Sequence, residues 1–153
     1  MENAEDLELQ RLRQKRMESM IRAKEPEPPK PSLPEGVLHL SEADFDSFLS
    51  EHSEVPILMD YWAEWCRPCM MVAPTIEALE KKYRGQMLFA KVNIDHNPRI
   101  AQRFQVASIP TFHIFWRGRV FDHFVGALPA AQFEGKVVQT LKKVKDKKRT
   151  QVQ

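Results

Sequence analysis

The run from Val55 to Trp62 is apolar almost throughout, and four positions past its end stands Cys66, which with Cys69 makes up the chain's only two cysteines. A run of this length and character reads as a β-strand buried on both faces. The residues that follow, Trp65-Cys66-Arg67-Pro68-Cys69, read as the start of a helix, since proline is at home in a first helical turn. A buried strand that delivers a Cys-x-x-Cys pair to a helix start demands a sheet covered by helices. It also sets the chemistry. Thiols at this spacing close a disulfide at almost no loop-entropy cost, so the bridge does little to staple a fold and its value lies in opening and closing. At the positive end of the helix dipole the Cys66 sulfur is stabilised as a thiolate, and Cys69, one turn on, is within reach of a mixed disulfide formed there.

Two other uses of the cysteines compete. A structural zinc site takes four ligands, and the chain has no second Cys-x-x-Cys pair. Its histidines, His39, His52, His96, His113 and His123, lack the close spacing that would complete such a site. No metal is expected. Two inert buried thiols are the stronger competitor, and Pro68 argues against them by marking a helix start.

The 153 residues, 42% of them hydrophobic, suffice for one domain with a proper core. A formal net charge of +2 makes no overall case for nucleic acid. The stretch from Lys136 carries Lys142, Lys143, Lys145, Lys147, Lys148 and Arg149 against Asp146 alone, which reads first as a solvated helix end and second as a surface for an anionic partner. The first thirty residues show no apolar signal-peptide core and nothing reaches transmembrane length, so a cytoplasmic protein without membrane contact is expected. In that compartment structural disulfides are rare.

Residues 1–24 read as a charged helical extension with Leu9, Leu12, Met20 and Ile21 at roughly helical spacing. Residues 25–35 hold Pro26, Pro28, Pro29, Pro31 and Pro34 and read as a semi-rigid linker. The main domain is expected over 36–145, followed by a basic, polar tail over 146–153. Within it, Val37–Leu40 is a short strand, and Ser41 with Asp44 looks like a cap opening a helix through Phe45, Phe48 and Leu49. A helix from Cys66 to about Tyr83 contains Pro74, which removes one hydrogen bond. Met87 to Ile94 is a third buried strand, and Asn97-Pro98 opens a short helix to Phe104. Thr111–Trp116 and Val120–Val125 form a hairpin around Arg117-Gly118-Arg119. Pro129 starts a last helix with Phe133, Val137, Val138 and Leu141 on one face. Strands and helices that alternate, then a hairpin and a closing helix, predict a mixed α/β sheet flanked by helices on both faces.

That order, with Trp65-Cys66-x-Pro68-Cys69 opening the second helix of the domain, resembles the thioredoxin family from about Gly36 to Leu141. Ile57-Leu58-Met59-Asp60-Tyr61-Trp62-Ala63-Glu64-Trp65-Cys66 is similar to the family's strand leading into the active site. Lys91-Val92-Asn93-Ile94-Asp95 is similar to its third strand, Ile109-Pro110-Thr111 to its cis-proline turn, and Val125-Gly126-Ala127 to the glycine of its substrate groove. The resemblance implies the thioredoxin fold, a monomer with no bound cofactor, and a redox-active Cys66–Cys69 disulfide.

It also implies roles, each beside a plainer reading. Asp60 would sit behind the buried cysteine and exchange a proton with it; otherwise it is a strand-end carboxylate facing water. Lys91 would lie near Asp60 and tune its charge, or it snorkels from a strand edge. Ile109, before a cis Pro110, would offer backbone hydrogen bonds to an extended substrate, and Pro110 would keep metals off the thiols. Trp65 would form an apolar floor for substrate or be a core aromatic, and Gly126 would allow close backbone approach or merely turn. Two departures stand out: Arg67 replaces the usual glycine between the cysteines, and Met70 a frequent lysine. Arg67 and Pro68 join the expected substrate surface, and the guanidinium favours the Cys66 thiolate.

The function expected is protein disulfide reduction, with disulfide-bearing proteins as substrates and a separate thioredoxin reductase as recycler, because the chain has no Gly-rich nucleotide motif. Glutaredoxin-like chemistry is the nearest rival, against which Trp65 and Asp60 speak. A thioredoxin-fold adaptor or client-directed redox protein, whose N-terminal helix binds a partner in the manner of phosducin-like proteins, is the rival from another class.

Overall fold

The computed structural model describes residues 3–24 and 32–151, which fall into two units, Met1–Ser32 and Leu33–Gln153. Among its described residues the first unit holds one helix, α1 (Ala4–Lys24), capped by Asn3, whose Oδ1 accepts from the Asp6 N–H at 2.9 Å. Glu5 and Asp6 in its first turn suit the helix dipole. Its apolar residues Leu7, Leu12, Met17 and Ile21 are all exposed. Positions 25–31 of the expected proline linker lie outside the described residues, as do 152 and 153.

The second unit holds β1 (Val37–His39), α2 (Phe45–Glu51), β2 (Ile57–Trp62), α3 (Arg67–Lys82), β3 (Leu88–Asn93), α4 (Pro98–Arg103), β4 (Thr111–Trp116), β5 (Arg119–Val125) and α5 (Ala130–Gln151). The five strands form one sheet in the order β1-β3-β2-β4-β5. β1, β3 and β2 run parallel, while β4 opposes β2 and β5 opposes β4, so the sheet is mixed.

The pleat of β2 explains why its run is almost wholly apolar. Ile57, Met59 and Tyr61 point into one core with Phe45, Phe48 and Leu49 of α2 and Ile100 of α4. Leu58 points into the other, with Val72, Ile76 and Leu79 of α3 and Phe133 and Val137 of α5. Two-residue alternation then puts Asp60 on the α3 side of the sheet. α5 is locked by a ring cluster in which Phe133 lies 4.9 Å from Phe112 and 5.3 Å from Phe124, each contact adding ~1 kcal/mol to the burial. Glu80 of α3 accepts from the Gly36 N–H at 2.8 Å and from Arg84, tying the start of the domain to that helix.

Three expectations need correction. α2 starts at Phe45 because the Ser41 hydroxyl donates to the Asp44 carboxylate instead of capping a backbone N–H, leaving residues 42–44 as a turn. The hairpin turn is tighter than expected. Arg119 belongs to β5 and pairs with Trp116, and both linking residues have positive φ, Arg117 at 54° and Gly118 at 74°, the type I′ pattern. Residues 146–151 are not a tail but the last turns of α5, with Lys148 Nζ donating to the Glu54 carbonyl at 2.8 Å.

Candidate functional site

Cys66 is the N-cap of α3, with extended backbone (φ −85°, ψ 103°), and Arg67 and Pro68 complete the first turn ahead of Cys69. The cysteines are joined as a disulfide, their Cα atoms 5.3 Å apart. The Cys69 backbone N–H donates to Cys66 Sγ at 3.2 Å, in the place where an N-cap side chain normally accepts. An N–H aimed at Sγ and the end of a helix dipole are both arranged to hold negative charge on that sulfur.

The structure buries both cysteines, with Cys66 3% and Cys69 2% exposed, because Trp62, Ile94 and Ile109 close over them from three other segments. The two cysteines are thus alike in residue burial and differ in the hydrogen bond that Cys66 Sγ accepts.

The surface around them is apolar and open. Trp65 is 70% exposed, and its indole N–H donates to Asp95 at 2.9 Å, which fixes the ring against the third-strand segment. Asn93 accepts from the Asp95 N–H and so holds that loop. Met70 and Met71 extend the exposed apolar surface along α3, and Arg67 and Pro68 are exposed beside it. The Ile109–Pro110 bond is cis. Ile109 packs against the cysteines, and the Pro110 carbonyl accepts from the Gly126 N–H at 2.8 Å. This bond brings the three-residue stretch around Gly126 alongside the proline turn. Gly126 has φ +97°, an angle that selects glycine by itself, and a Cβ there would meet no atom within 4 Å. The groove above it is open.

Asp60, on β2 six residues before Cys66, has no solvent exposure, and neither carboxylate oxygen has a hydrogen-bond partner among the described residues. Burial pushes its pKa from 3.8 up to about 7, against a smaller downward pull from the charge of Lys91. Lys91 is its register partner on β3 but does not close an ion pair; its ammonium lies 5.1 Å from the centre of the Trp62 ring. The water-facing reading of Asp60 is excluded. Asp95, Trp62 and Met71 belong to the same surface and were not singled out from sequence; nothing in a linear pattern shows that Asp95 anchors Trp65. Among the described residues no group of three or more His, Cys, Asp or Glu side chains could hold a metal ion.

A mixed sheet with helices on both faces, and a Cys-x-x-Cys disulfide at the N-cap of the helix after its central strand, define a thioredoxin-fold protein built for thiol–disulfide exchange. Residues 36–139 match the family model described as Thioredoxin. The chain is 43% identical over 96 residues to a thioredoxin of Haemophilus influenzae, covering 63% of this chain and 89% of that protein. It is 44% identical over 91 residues to thioredoxin 1 of a Nostoc species (60% and 81% covered) and 46% over 85 residues to a thioredoxin of Chlorobaculum thiosulfatiphilum (56% and 79%). The chain belongs to the thioredoxin family. It is a thiol–disulfide oxidoreductase with its cysteine pair in the position that chemistry requires.

Proposed function

We propose that the chain is a protein disulfide reductase in which Cys66 attacks and Cys69 resolves. Cys66 thiolate attacks one sulfur of a client disulfide; that bond breaks, a Cys66–client disulfide forms, and the departing client thiolate takes up a proton. Cys69, giving its proton to the Asp60 carboxylate, then attacks Cys66 Sγ and releases the second client thiol. The client gains two electrons and the protein is left as the Cys66–Cys69 disulfide, which a separate thioredoxin reductase reopens. The Cys69 N–H directed at Cys66 Sγ carries this assignment.

Trp65, Met70 and Met71 give the client an apolar floor, and the backbone of Ile109 and the open groove at Gly126 receive its extended chain. Arg67 and Pro68 border that path. Lys91 moderates Asp60. A cytoplasmic monomer fits this reading, and among the described residues no helix is long and apolar enough to cross a membrane. The exposed apolar residues of α1 support the variant in which the N-terminal helix recruits a chosen client.

Dithiothreitol-driven insulin reduction tests the reading. Catalysis by the native chain and its loss in both Cys66→Ser and Cys69→Ser is expected. Turnover that survives Cys66→Ser would remove the assigned nucleophile.

A further inference from the structure

The basic stretch of α5 has no part in the exchange chemistry, and it lies far from the disulfide. β2 runs from Ile57 toward Cys66, and Ile57 pairs with Phe115, one residue before Trp116 and the Arg117–Gly118 turn. That turn is therefore at the opposite end of the sheet, roughly 20 Å from the disulfide by strand rise. Here the C-terminal half of α5 and the start of β5 form a groove of about 800 Å³ lined by Trp116, Arg117, Arg119, Phe121, Lys143 and Lys147 with Val120. Every charged residue lining it is basic.

Two segments distant in sequence build this groove, so a solvated helix end does not account for it. The helix dipole explains Lys148 and Arg149 in the last turn of α5, but not Lys143, Lys147 or the strand residue Arg119. β5 is an edge strand, and its register against β4 shifts between Ile114 and Phe115, which pair with Asp122 and Val120. The shift leaves Phe121 as an extra residue and lets it pack against the core shared with α5, where the Lys147 ammonium sits 4.9 Å from its ring centre. Nearby acids are few and mostly engaged: Asp122 faces Lys136 at 3.8 Å, Glu54 faces Arg117 at 3.4 Å, and Asp146 is the acid on the C-terminal half of α5.

We propose that this groove binds an extended acidic segment of a partner protein. The edge of β5 offers unpaired backbone groups to an added strand, and Arg119, Lys143 and Lys147 offer cations to its carboxylates. The aromatic faces favour this occupant over nucleic acid. Trp116 is 7% exposed with the Arg117 guanidinium 4.4 Å from its ring centre, and Lys147 covers Phe121, so neither face is free to stack a base. A membrane surface fits less well, since the patch is concave and Val120 is its one markedly exposed apolar side chain among the described residues.

The probe is a fluorescein-labelled hexaglutamate peptide, followed by anisotropy against the full chain and against Lys143→Glu/Lys147→Glu, with insulin reduction as a check that the variant is folded. Saturable binding that weakens with salt, and is about tenfold weaker in the double variant at unchanged insulin turnover, is expected. Amide shifts on titration should centre on Arg119 to Phe121. Absent binding, equal binding by the variant, or tighter binding of a hexanucleotide or of phosphatidylserine vesicles than of the peptide would each overturn the proposal. Should the charge reversal unfold the chain, Arg119→Gln serves in its place with the same direction of change.

Discussion

Asp60 is the residue whose environment departs furthest from its chemistry. Its folded pKa of about 7 against 3.8 means that between those values the unfolded chain ionises while the folded one keeps its proton. Stability from this group is therefore complete below pH ~4 and declines as pH rises to about 7, where the loss levels at about 4 kcal/mol, each unit being about 1.4 kcal/mol. Replacement by the neutral Asp60→Asn carries a fixed cost for a buried amide but abolishes the pH-dependent loss. Urea unfolding should show the variant gaining a few kcal/mol on the native chain between pH 4 and pH 8; a difference that does not move with pH would mean the carboxylate is compensated. The buried position of Asp60 was legible only through the family resemblance, because a lone carboxylate in an apolar run reads equally as a strand end facing water. The burial of Cys66 was not, since Trp62, Ile94 and Ile109 arrive from elements whose packing no local pattern encodes.

α3 shows how an element can tune its own first residue. Arg67 follows the N-cap and is exposed, so its positive charge opposes the helix dipole yet favours a thiolate on the adjacent Cys66. A thiolate exists only in the reduced form, so the guanidinium stabilises the dithiol and makes the protein a stronger oxidant. Arg67→Gly should lower the potential by on the order of 10 mV, the scale of an exposed charge interaction. Equilibration against a glutathione buffer measures this; a variant that becomes more oxidising would place Arg67 in client choice alone. Element types and their order were legible from periodicity, whereas some boundaries were not. Ser41 and Asp44 satisfy each other, so the helix start slid forward to Phe45, and α5 outran its apolar stripe because Lys148 and Gln151 find partners at Glu54 and Arg117.

For the molecule as a whole, the domain beginning near Leu33 carries both cores and every proposed site residue. Leu33 packs against the first core and Gly36 is held by Glu80, so a cut just before Leu33 spares the contacts that close the domain. A chain beginning at Leu33 should melt within a few degrees of the full chain and keep insulin turnover; a much larger fall would make residues 1–32 part of the folded core. The fold was legible because strands and helices alternate along the chain and four motifs in order resemble those of the thioredoxin family. The basic groove was not, because Arg119 and Lys147 are neighbours only once β5 and α5 are in place.

The nucleophile assignment rests on the inequality of the two sulfurs, which mixed-disulfide trapping measures. Cys69→Ser, mixed with a disulfide-bonded client and mapped by mass spectrometry of peptides, should accumulate a stable adduct on Cys66, while Cys66→Ser accumulates little. An adduct that forms predominantly on Cys69 would contradict the account, because the N–H that Cys69 donates to Cys66 Sγ would then not mark the nucleophile.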